Sequence, residues 1–161
     1  NDDEMYLYNG TSTIQLTDNN TDDNYYDYYW NTQLSGNNLV WSSHDGNDDE
    51  IYLYDGSSII QLTDNNTHDR HPTFYGDYVV WTGDDGNDYE IYLYDGNSTI
   101  QLTDNNIYDG QIELAGDNVI WMGMDGSYSE GFNYGLYLYD GSSTIQLTSG
   151  IIPDYYFESL E

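Results

Sequence analysis

The sequence of 161 residues contains no cysteine, no lysine and a single arginine, Arg70. The absence of cysteine excludes disulfides, thiolate chemistry and cysteine-based zinc sites. A total of 30 Asp and Glu residues against this one basic residue gives a formal net charge of -29. That charge excludes a basic surface for nucleic acid, a lysine or arginine clamp for phosphate, and attraction to an anionic membrane.

Long apolar runs are also missing, because no stretch of about 18 apolar residues exists that could cross a membrane. The chain begins with Asn1 rather than Met, so we expect it to be processed, excised or incomplete, and a secretory leader could have preceded it. The length predicts one domain, residues 1–161. Hydrophobic residues make up 37% of the chain and 20 residues are Tyr, so we expect an unusually aromatic core.

Internal repetition dominates what is present. Trp41, Trp81 and Trp121 follow one another at intervals of 40 residues, and each opens a similar stretch of sequence. The N-terminal residues are the same unit entered midway, and the last unit carries an irregular insertion at residues 127–135, where Glu130 and Tyr134 have no readable role. The repeat units fall at about residues 1–35, 36–75, 76–115 and 116–161.

Each unit has the pattern of four short strands joined by turns that contain Gly and Asp. The second and third strands, such as 79–81 and 91–94, are apolar on both faces, whereas the fourth alternates apolar and polar residues. Helical periodicity is absent. The pattern predicts an all-β fold, a β-propeller of four-stranded antiparallel blades.

The strand count predicts about four blades, with the terminal blade split between N- and C-terminal strands. The C-terminal strand would lie near residues 155–160, and the split blade would lack its second strand. We expect residues beyond this chain, or a neighbouring subunit, to supply that strand, because its neighbours would otherwise keep unpaired edges.

The repeat unit resembles a known family, the TolB-type, WD40-like propeller repeat, and the resemblance covers nearly the whole chain. In one unit it is carried by Pro72 through Asp77, Val79-Val80-Trp81, residues 85–96 and Ile100 through Thr103. The departures are an insertion before Trp41, the irregular stretch at 127–135, and the charge. The resemblance implies a propeller and a scaffold role; propellers of this type host many functions, so no activity is transferred.

Acidic residues recur in two motifs, one between the second and third strands and one in the crossover between blades. Propeller topology places both motifs on one face, and oxygen ligands in Gly-containing turns suit calcium. Alternatively, these side chains only cap turns, or they reflect solvated acidity from a high-salt habitat. The candidate metal ligands are Asp45, Asn47, Asp49, Glu50, Asp64, Asp69, Asp85, Asn87, Glu90, Asp104 and Asp109.

Three further features are candidates for contacts. His68, Asp69 and His71 could bind a transition metal, although a single loop cluster is more often incidental. An aromatic segment could stack on sugars or on a neighbouring subunit, or could simply pack at a blade edge; it contains Tyr25, Tyr26, Tyr28, Tyr29 and Trp30. The candidate N-glycosylation sites are Asn9, Asn19, Asn65 and Asn97.

Catalysis finds no support in the sequence, because the acidic pairs are repeated and no triad spacing or phosphate loop occurs. We therefore predict a non-enzymatic extracellular or cell-surface module, structural or adhesive, whose acidic face binds calcium as its cofactor. Self-association into a polymer or surface array is the expected partnership. The alternative is a carbohydrate-binding, lectin-like propeller with glycans as partners.

Overall fold

A computed structural model of the protein describes residues 4–18, 32–127 and 131–150, with side chains at 125–132 and 149–150 excepted. The described residues form antiparallel sheets only. The first sheet contains β1 (Tyr6–Tyr8) and β2 (Thr13–Gln15). The second contains β3 (Gln33–Ser35), β4 (Asn38–His44), β5 (Asp49–Tyr54) and β6 (Ile59–Gln61).

Two more four-stranded sheets follow along the chain. The third contains β7 (Asp69–Tyr75), β8 (Tyr78–Asp84), β9 (Tyr89–Tyr94) and β10 (Thr99–Gln101). The fourth contains β11 (Tyr108–Ala115), β12 (Asn118–Ser127), β13 (Gly131–Tyr139) and β14 (Thr144–Gly150). Neighbouring strands in each sheet are consecutive in the chain, which confirms the predicted all-β architecture of four-stranded antiparallel blades. Within the described ranges, no helix has the length and hydrophobicity of a membrane span.

The three repeated tryptophans occupy equivalent buried positions, as the period predicts. Trp41, Trp81 and Trp121 are each 1% exposed. Each indole stacks on the tyrosine paired with it on the next strand, at centroid distances of 5.6, 5.9 and 5.7 Å to Tyr52, Tyr92 and Tyr137 respectively. Stacked pairs of this size dominate the burial of apolar area, so the aromatic composition is explained by the core.

The blades pack through their apolar second and third strands. Val80, Ile91 and Leu93 of the third sheet form one cluster with Val119 and Trp121 of the fourth. Among the first strands of the three large sheets, β7 contacts both β3 and β11. This convergence places them at the inner edge of the propeller, whereas β6 and β10 carry exposed residues at its outer edge.

A repeated hydrogen bond fixes each fourth strand to the third. Thr63 Oγ1 accepts a hydrogen bond from the Ile51 amide, and Thr103 Oγ1 accepts one from the Ile91 amide, both at 2.8 Å. The hairpin between these strands is capped by an aspartate: Asp55 Oδ1 accepts bonds from the amides of Ser57 and Ser58, each at 2.8 Å. These bonds to its charged form lower the pKa of Asp55 to about 2.

Two regions differ from the regular pattern. Within the stretch predicted as irregular, residue 127 and residues 131–135 continue the pairing of β12 with β13 instead. Among the described residues the first sheet contains β1 and β2, which correspond in sequence to β5 and β6, the third and fourth strands of a blade. The predicted C-terminal strand of the split blade lies outside the described residues, so the completeness of that blade stays a prediction.

Candidate cation-binding site

The two acidic motifs meet in the second and third sheets. The loop between β4 and β5 approaches the crossover after β6, where the Asn65 amide donates to Glu50 Oε1 at 2.9 Å. The same contact recurs one repeat later, where the Asn105 amide donates to Glu90 Oε1 at 2.7 Å. Because each glutamate is the second residue of its strand, its carboxylate is held between the loop that precedes the strand and the crossover.

Both glutamates are fully buried, and among the described residues only one of the two carboxylate oxygens of each has a hydrogen-bond partner. Glu50 and Glu90 have 0% exposure, and their Oε2 atoms have no hydrogen-bond partner among the described residues. The buried Oδ1 atoms of Asp48 and Asp88 also lack a partner in this part of the chain. A buried carboxylate without compensation is costly, so these oxygens require either a proton or a cation.

Each buried glutamate belongs to a group of three acidic residues. In the second repeat, ligand oxygens of Asp45, Glu50 and Asp64 all lie within 4.8 Å of one another. In the third repeat, the corresponding group consists of Asp85, Asp88 and Glu90, within the same distance. Oxygen ligands about 2.3–2.6 Å from one calcium ion stand at most about 5 Å apart, so both groups have the spacing of a calcium shell.

The electrostatics of the clusters follow from this crowding. Burial raises the pKa of Glu50 to about 7, and the neighbouring charges of Asp69 and Asp48 add to that rise. Burial, followed by the charge of Glu90, raises the pKa of Asp88 to about 6. Such shifts arise where several carboxylates share a site without a positive partner. A bound cation would supply the missing positive partner and lower these pKa values again.

Some predicted ligands also serve as turn caps. Asp45 Oδ1 accepts hydrogen bonds from the amides of Asn47 and Asp48, at 2.8 and 3.2 Å. Asp85 makes the same bonds one repeat later, at the same distances. The Asn47 side chain donates to Asn66 Oδ1 at 3.4 Å, and Asn87 donates to Asn106 at 3.1 Å. The capping role and the ligand role are therefore compatible in these aspartates.

Asp49 lies apart from the cluster. Its Oδ2 atom pairs with Arg70, the only basic side chain of the sequence apart from histidine, and with His68 Nδ1 at 3.1 Å. In the third repeat Asp88 joins the acidic group, although it was not among the ligands predicted from the sequence. Asp88 lies two residues before Glu90, and residues two apart along an extended chain share a face, so the sequence carried a signal for it.

Asp69 and Asp109 bind tryptophan rather than forming part of either group. Trp81 Nε1 donates to Asp69 Oδ1 at 2.8 Å, and Trp121 Nε1 donates to Asp109 Oδ1 at 3.1 Å. Asn65 and Asn105 donate to the other carboxylate oxygens at 2.6 and 2.7 Å. Burial raises the pKa of both aspartates, that of Asp109 to about 6. Asp104 is exposed and belongs to neither group.

The remaining predicted positions are dispersed. His71 faces Thr82, with Nδ1 3.1 Å from Thr82 Oγ1, so it does not join His68 and Asp69. Asn9 and Asn97 lie on exposed hairpins. Asn65 Nδ2, the atom to which a glycan would be attached, is bonded to Asp69. Four tyrosines, one tryptophan and one asparagine lie outside the described residues: Tyr25, Tyr26, Tyr28, Tyr29, Trp30 and Asn19.

The fourth sheet provides an internal comparison. Gly135 stands where Glu50 and Glu90 stand in the earlier repeats, within the third strand of its sheet. A Cβ atom at Gly135 would lie 2.7 Å from Tyr137 Cε2 and 3.1 Å from Gln146 Nε2. Neighbouring side chains thus fill the space that the glutamate occupies elsewhere, so no carboxylate occupies this position in the fourth sheet.

Comparisons with known proteins give the fold. No family model matches the chain, and no curated protein does. Among solved structures it is similar to acylaminoacyl peptidase from Pyrococcus horikoshii, at 17% identity and a TM-score of 0.64, covering 90% of this chain and 22% of that one. It is also similar to a putative TolB from Agrobacterium tumefaciens, at 19% identity and a TM-score of 0.60, covering 92% and 57% respectively.

A third similar structure is the β-propeller domain of the Trilobed protease from Pyrococcus furiosus, described as having an open velcro topology. Identity is 12% and the TM-score is 0.63, with 95% of this chain and 45% of that chain covered. The present chain therefore has a TolB-like β-propeller fold, and it spans only part of the length of each of these proteins.

The prediction that the protein is not an enzyme is contradicted by these comparisons. Two of the similar structures belong to peptidases, and one of them is named as the propeller domain of a protease. The prediction was wrong because it rested on the absence of catalytic motifs from the propeller residues alone. The part of acylaminoacyl peptidase that resembles this chain is 22% of that protein's length, so most of the peptidase lies outside the matched residues.

Proposed function

We propose that this chain is a calcium-binding β-propeller module built from TolB-type repeats. The observation that carries the proposal is the pair of fully buried glutamates, Glu50 and Glu90. Each has one oxygen without a hydrogen-bond partner among the described residues, and each belongs to a group of three acids with carboxylate oxygens within 4.8 Å of one another. A solvated acidic surface explains exposed aspartates such as Asp64, but it does not explain why a glutamate is buried twice at the same repeat position.

Calcium suits the clusters better than magnesium. The first group combines two loops with a strand, the second combines one loop with a strand, and the two groups use different third members, Asp64 and Asp88. Calcium accepts six to eight oxygens in variable geometry, whereas magnesium demands a near-ideal octahedron and retains several waters. Two groups of such different arrangement therefore favour the larger ion.

The charge and the ion together support an extracellular or cell-surface location, where calcium is abundant enough to fill sites of modest affinity. There the module would act as a structural or adhesive element. Filling the acidic face with calcium would lower the repulsion that a net charge of -29 imposes between copies of the chain, which supports self-association into a polymer or surface array.

Thermal unfolding at matched ionic strength tests the proposal. A ligand that binds only the folded state stabilises it by about 2.7 kcal/mol at a hundredfold excess over Kd. We expect calcium chloride to raise Tm by several degrees more than sodium chloride of equal ionic strength, because sodium supplies screening alone. Isothermal titration should give about two calcium ions per chain, one for each glutamate-centred cluster.

Paired variants identify the site. Glu50→Gln with Glu90→Gln should remove the calcium-specific part of the Tm shift, while keeping an oxygen that accepts the Asn65 and Asn105 amides. The control is Asp55→Asn with Asp95→Asn, which changes the charge equally at exposed hairpins outside both clusters. Equal shifts with calcium and sodium, or loss of the calcium effect in the control alone, would contradict the proposal.

A further inference from the structure

A cavity lies at the inner edge of the propeller. It has a volume of about 450 Å³ and is lined by residues of the three converging first strands. Gln33 comes from β3, His71 and Thr73 from β7, and Tyr108 and Gln111 from β11. Volumes of about 300–1,000 Å³ with a few convergent polar groups are typical of small-molecule sites.

Two residues with an unusual backbone conformation line this cavity. His71 and Gln111, one repeat apart, adopt φ values of 54° and 51°, the only non-glycine residues of the described chain in the left-handed region. Each lies in a β-bulge, since the register shifts between Arg70 and Thr73 in β7 and at the equivalent position in β11. A bulge redirects a side chain, and strain of this kind, costing about 1–3 kcal/mol, is concentrated where ligands bind.

The polar groups of the cavity are held in place by their neighbours. Thr73 Oγ1 donates to Gln33 Oε1 at 2.9 Å, which links β7 to β3 and orients the amide. His71 Nδ1 lies 3.1 Å from Thr82 Oγ1, and that hydroxyl donates to the Arg70 carbonyl at 3.0 Å, so it accepts from the imidazole. The lining is therefore preorganised, which lowers the entropy lost when a ligand binds.

An aromatic ring completes the lining on the side of β11. Tyr108 lies edge-on to Tyr89, with ring centroids 5.7 Å apart. Its ring folds over Gly110, where an added Cβ would lie 2.7 Å from Tyr108 Cε1. Gly110 thus makes room for the ring, and Tyr108 offers the cavity an apolar surface with a hydroxyl at its end.

The chemistry of the lining differs from that of the rest of the molecule. Asp, Glu, Lys and Arg are absent from the described residues that line the cavity, although the chain has 30 acids. A cationic ligand would find no carboxylate to pair with there, and an anion would be repelled by the net charge of the protein. An apolar ligand would offer no hydrogen-bond partner to the amide NH₂ of Gln33, which accepts only at its oxygen from Thr73, or to the amide of Gln111, and this costs free energy.

We propose that this inner cavity binds a neutral carbohydrate unit. Sugar hydroxyls donate and accept at once, which matches side-chain amides that carry both a donor and an acceptor. The C–H face of a sugar ring packs on an apolar ring such as that of Tyr108. An extended peptide fits less well, because the bulges in β7 and β11 interrupt the regular row of edge amides and carbonyls with which a peptide strand pairs.

The test uses the full chain on an array of neutral oligosaccharides, with glucan, mannan, galactan and chitin oligomers, in the presence of a calcium chelator so that the cation clusters do not contribute. We expect retention on at least one oligomer type, followed by measurable binding of that oligomer by titration calorimetry. Gln111→Gly and Gln33→Ala should each weaken binding at least tenfold. Gln111→Gly also relieves the strained φ, so loss of binding there does not reflect unfolding.

The matched control is Gln101→Ala on β10, which removes an exposed glutamine of the same chemistry outside the cavity. It should leave affinity within twofold of the unmodified chain. The proposal is overturned if no neutral oligosaccharide is retained, if Gln111→Gly and Gln33→Ala bind as well as the control, or if the cavity variants lose binding to peptides instead. None of these outcomes depends on whether calcium binds elsewhere.

Discussion

At the scale of single residues, the tryptophan–aspartate bond depends on a glycine beside it. An added Cβ at Gly83 would clash with Asp69 Oδ1 and approach Tyr92 Cε2 to 2.8 Å. Asp69 is the acceptor for Trp81, so either the carboxylate or the stacked ring must move. Overpacking of this kind costs typically about 1–3 kcal/mol. Gly83→Ala should therefore lower the free energy of unfolding by about 2 kcal/mol or more in chemical denaturation.

Ser43 supplies the control for that change. It occupies the position of Gly83 one repeat earlier, is nearly buried, and already carries a Cβ atom. Ser43→Ala should cost clearly less than Gly83→Ala, because it adds no atom to the packed interior. If the two substitutions cost the same, the glycine has no packing role in the aspartate contact.

The individual residues of the cluster show where sequence reasoning reached its limit. The repeated Glu50 and Glu90 were predicted as ligands from spacing alone, and the structure places both within acidic groups. Asp48 and Asp49 are adjacent identical side chains, and only burial separates them. Because Arg70 lies 21 residues from Asp49, the ion pair that withdraws Asp49 from the cluster depends on tertiary packing that a local motif does not encode.

At the scale of strands, the bulges in β7 and β11 store backbone strain. Gln111 holds a φ of 51°, a conformation that costs an L-residue roughly 1–2 kcal/mol and costs glycine little. Glycine also loses more chain entropy on folding, about 0.5–1 kcal/mol relative to alanine. Gln111→Gly should consequently raise the free energy of unfolding by about 0.5–1 kcal/mol in denaturant titrations.

The same substitution on a regular strand should have the opposite sign. Gln101 lies in the short extended strand β10, so Gln101→Gly should destabilise by about 0.5–1 kcal/mol. Destabilisation by Gln111→Gly of equal size would indicate that the bulge is unstrained. The strands themselves were predicted from periodicity and turn residues, but the bulges were not. Glutamine has no preference for positive φ, and the enrichment of histidine there is too weak to mark one position of the chain.

At the scale of the whole molecule, the repeat determines the architecture and the charge determines its dependence on solution conditions. The period of 40 residues, the buried tryptophans and the Gly-Asp turns sufficed to predict four-stranded blades, because every repeat carries the same local information. Function was harder to predict, because the comparisons that share this fold at under 20% identity include both peptidases and TolB. Buried carboxylates of this chain have raised pKa values, and their titration can be measured.

The last prediction concerns that titration in the presence of a chelator. The pKa of Glu50 rises from 4.5 to about 7 on folding, so protonation favours the folded state. The stabilisation is complete below about pH 4.5 and is lost as the pH rises through 7, by up to about 3 kcal/mol for such a shift. The raised pKa of Asp88, about 6, acts in the same direction. Without divalent cations, Tm should therefore fall steadily between pH 5 and pH 8.

Calcium and a neutral substitution should each flatten this dependence. Calcium would replace the proton as the partner of the buried carboxylate, so its stabilising effect should be largest near pH 8 and smallest near pH 5. Glu50→Gln keeps the buried side chain at this position neutral at every pH, so in chelator it should raise Tm at pH 8 relative to the unmodified chain. Asp55→Asn should leave the slope of Tm against pH unchanged. The pKa of Asp55 is lowered to about 2, outside this window. A Tm that is constant or rises from pH 5 to pH 8 in chelator would contradict the burial of an uncompensated carboxylate in the folded propeller.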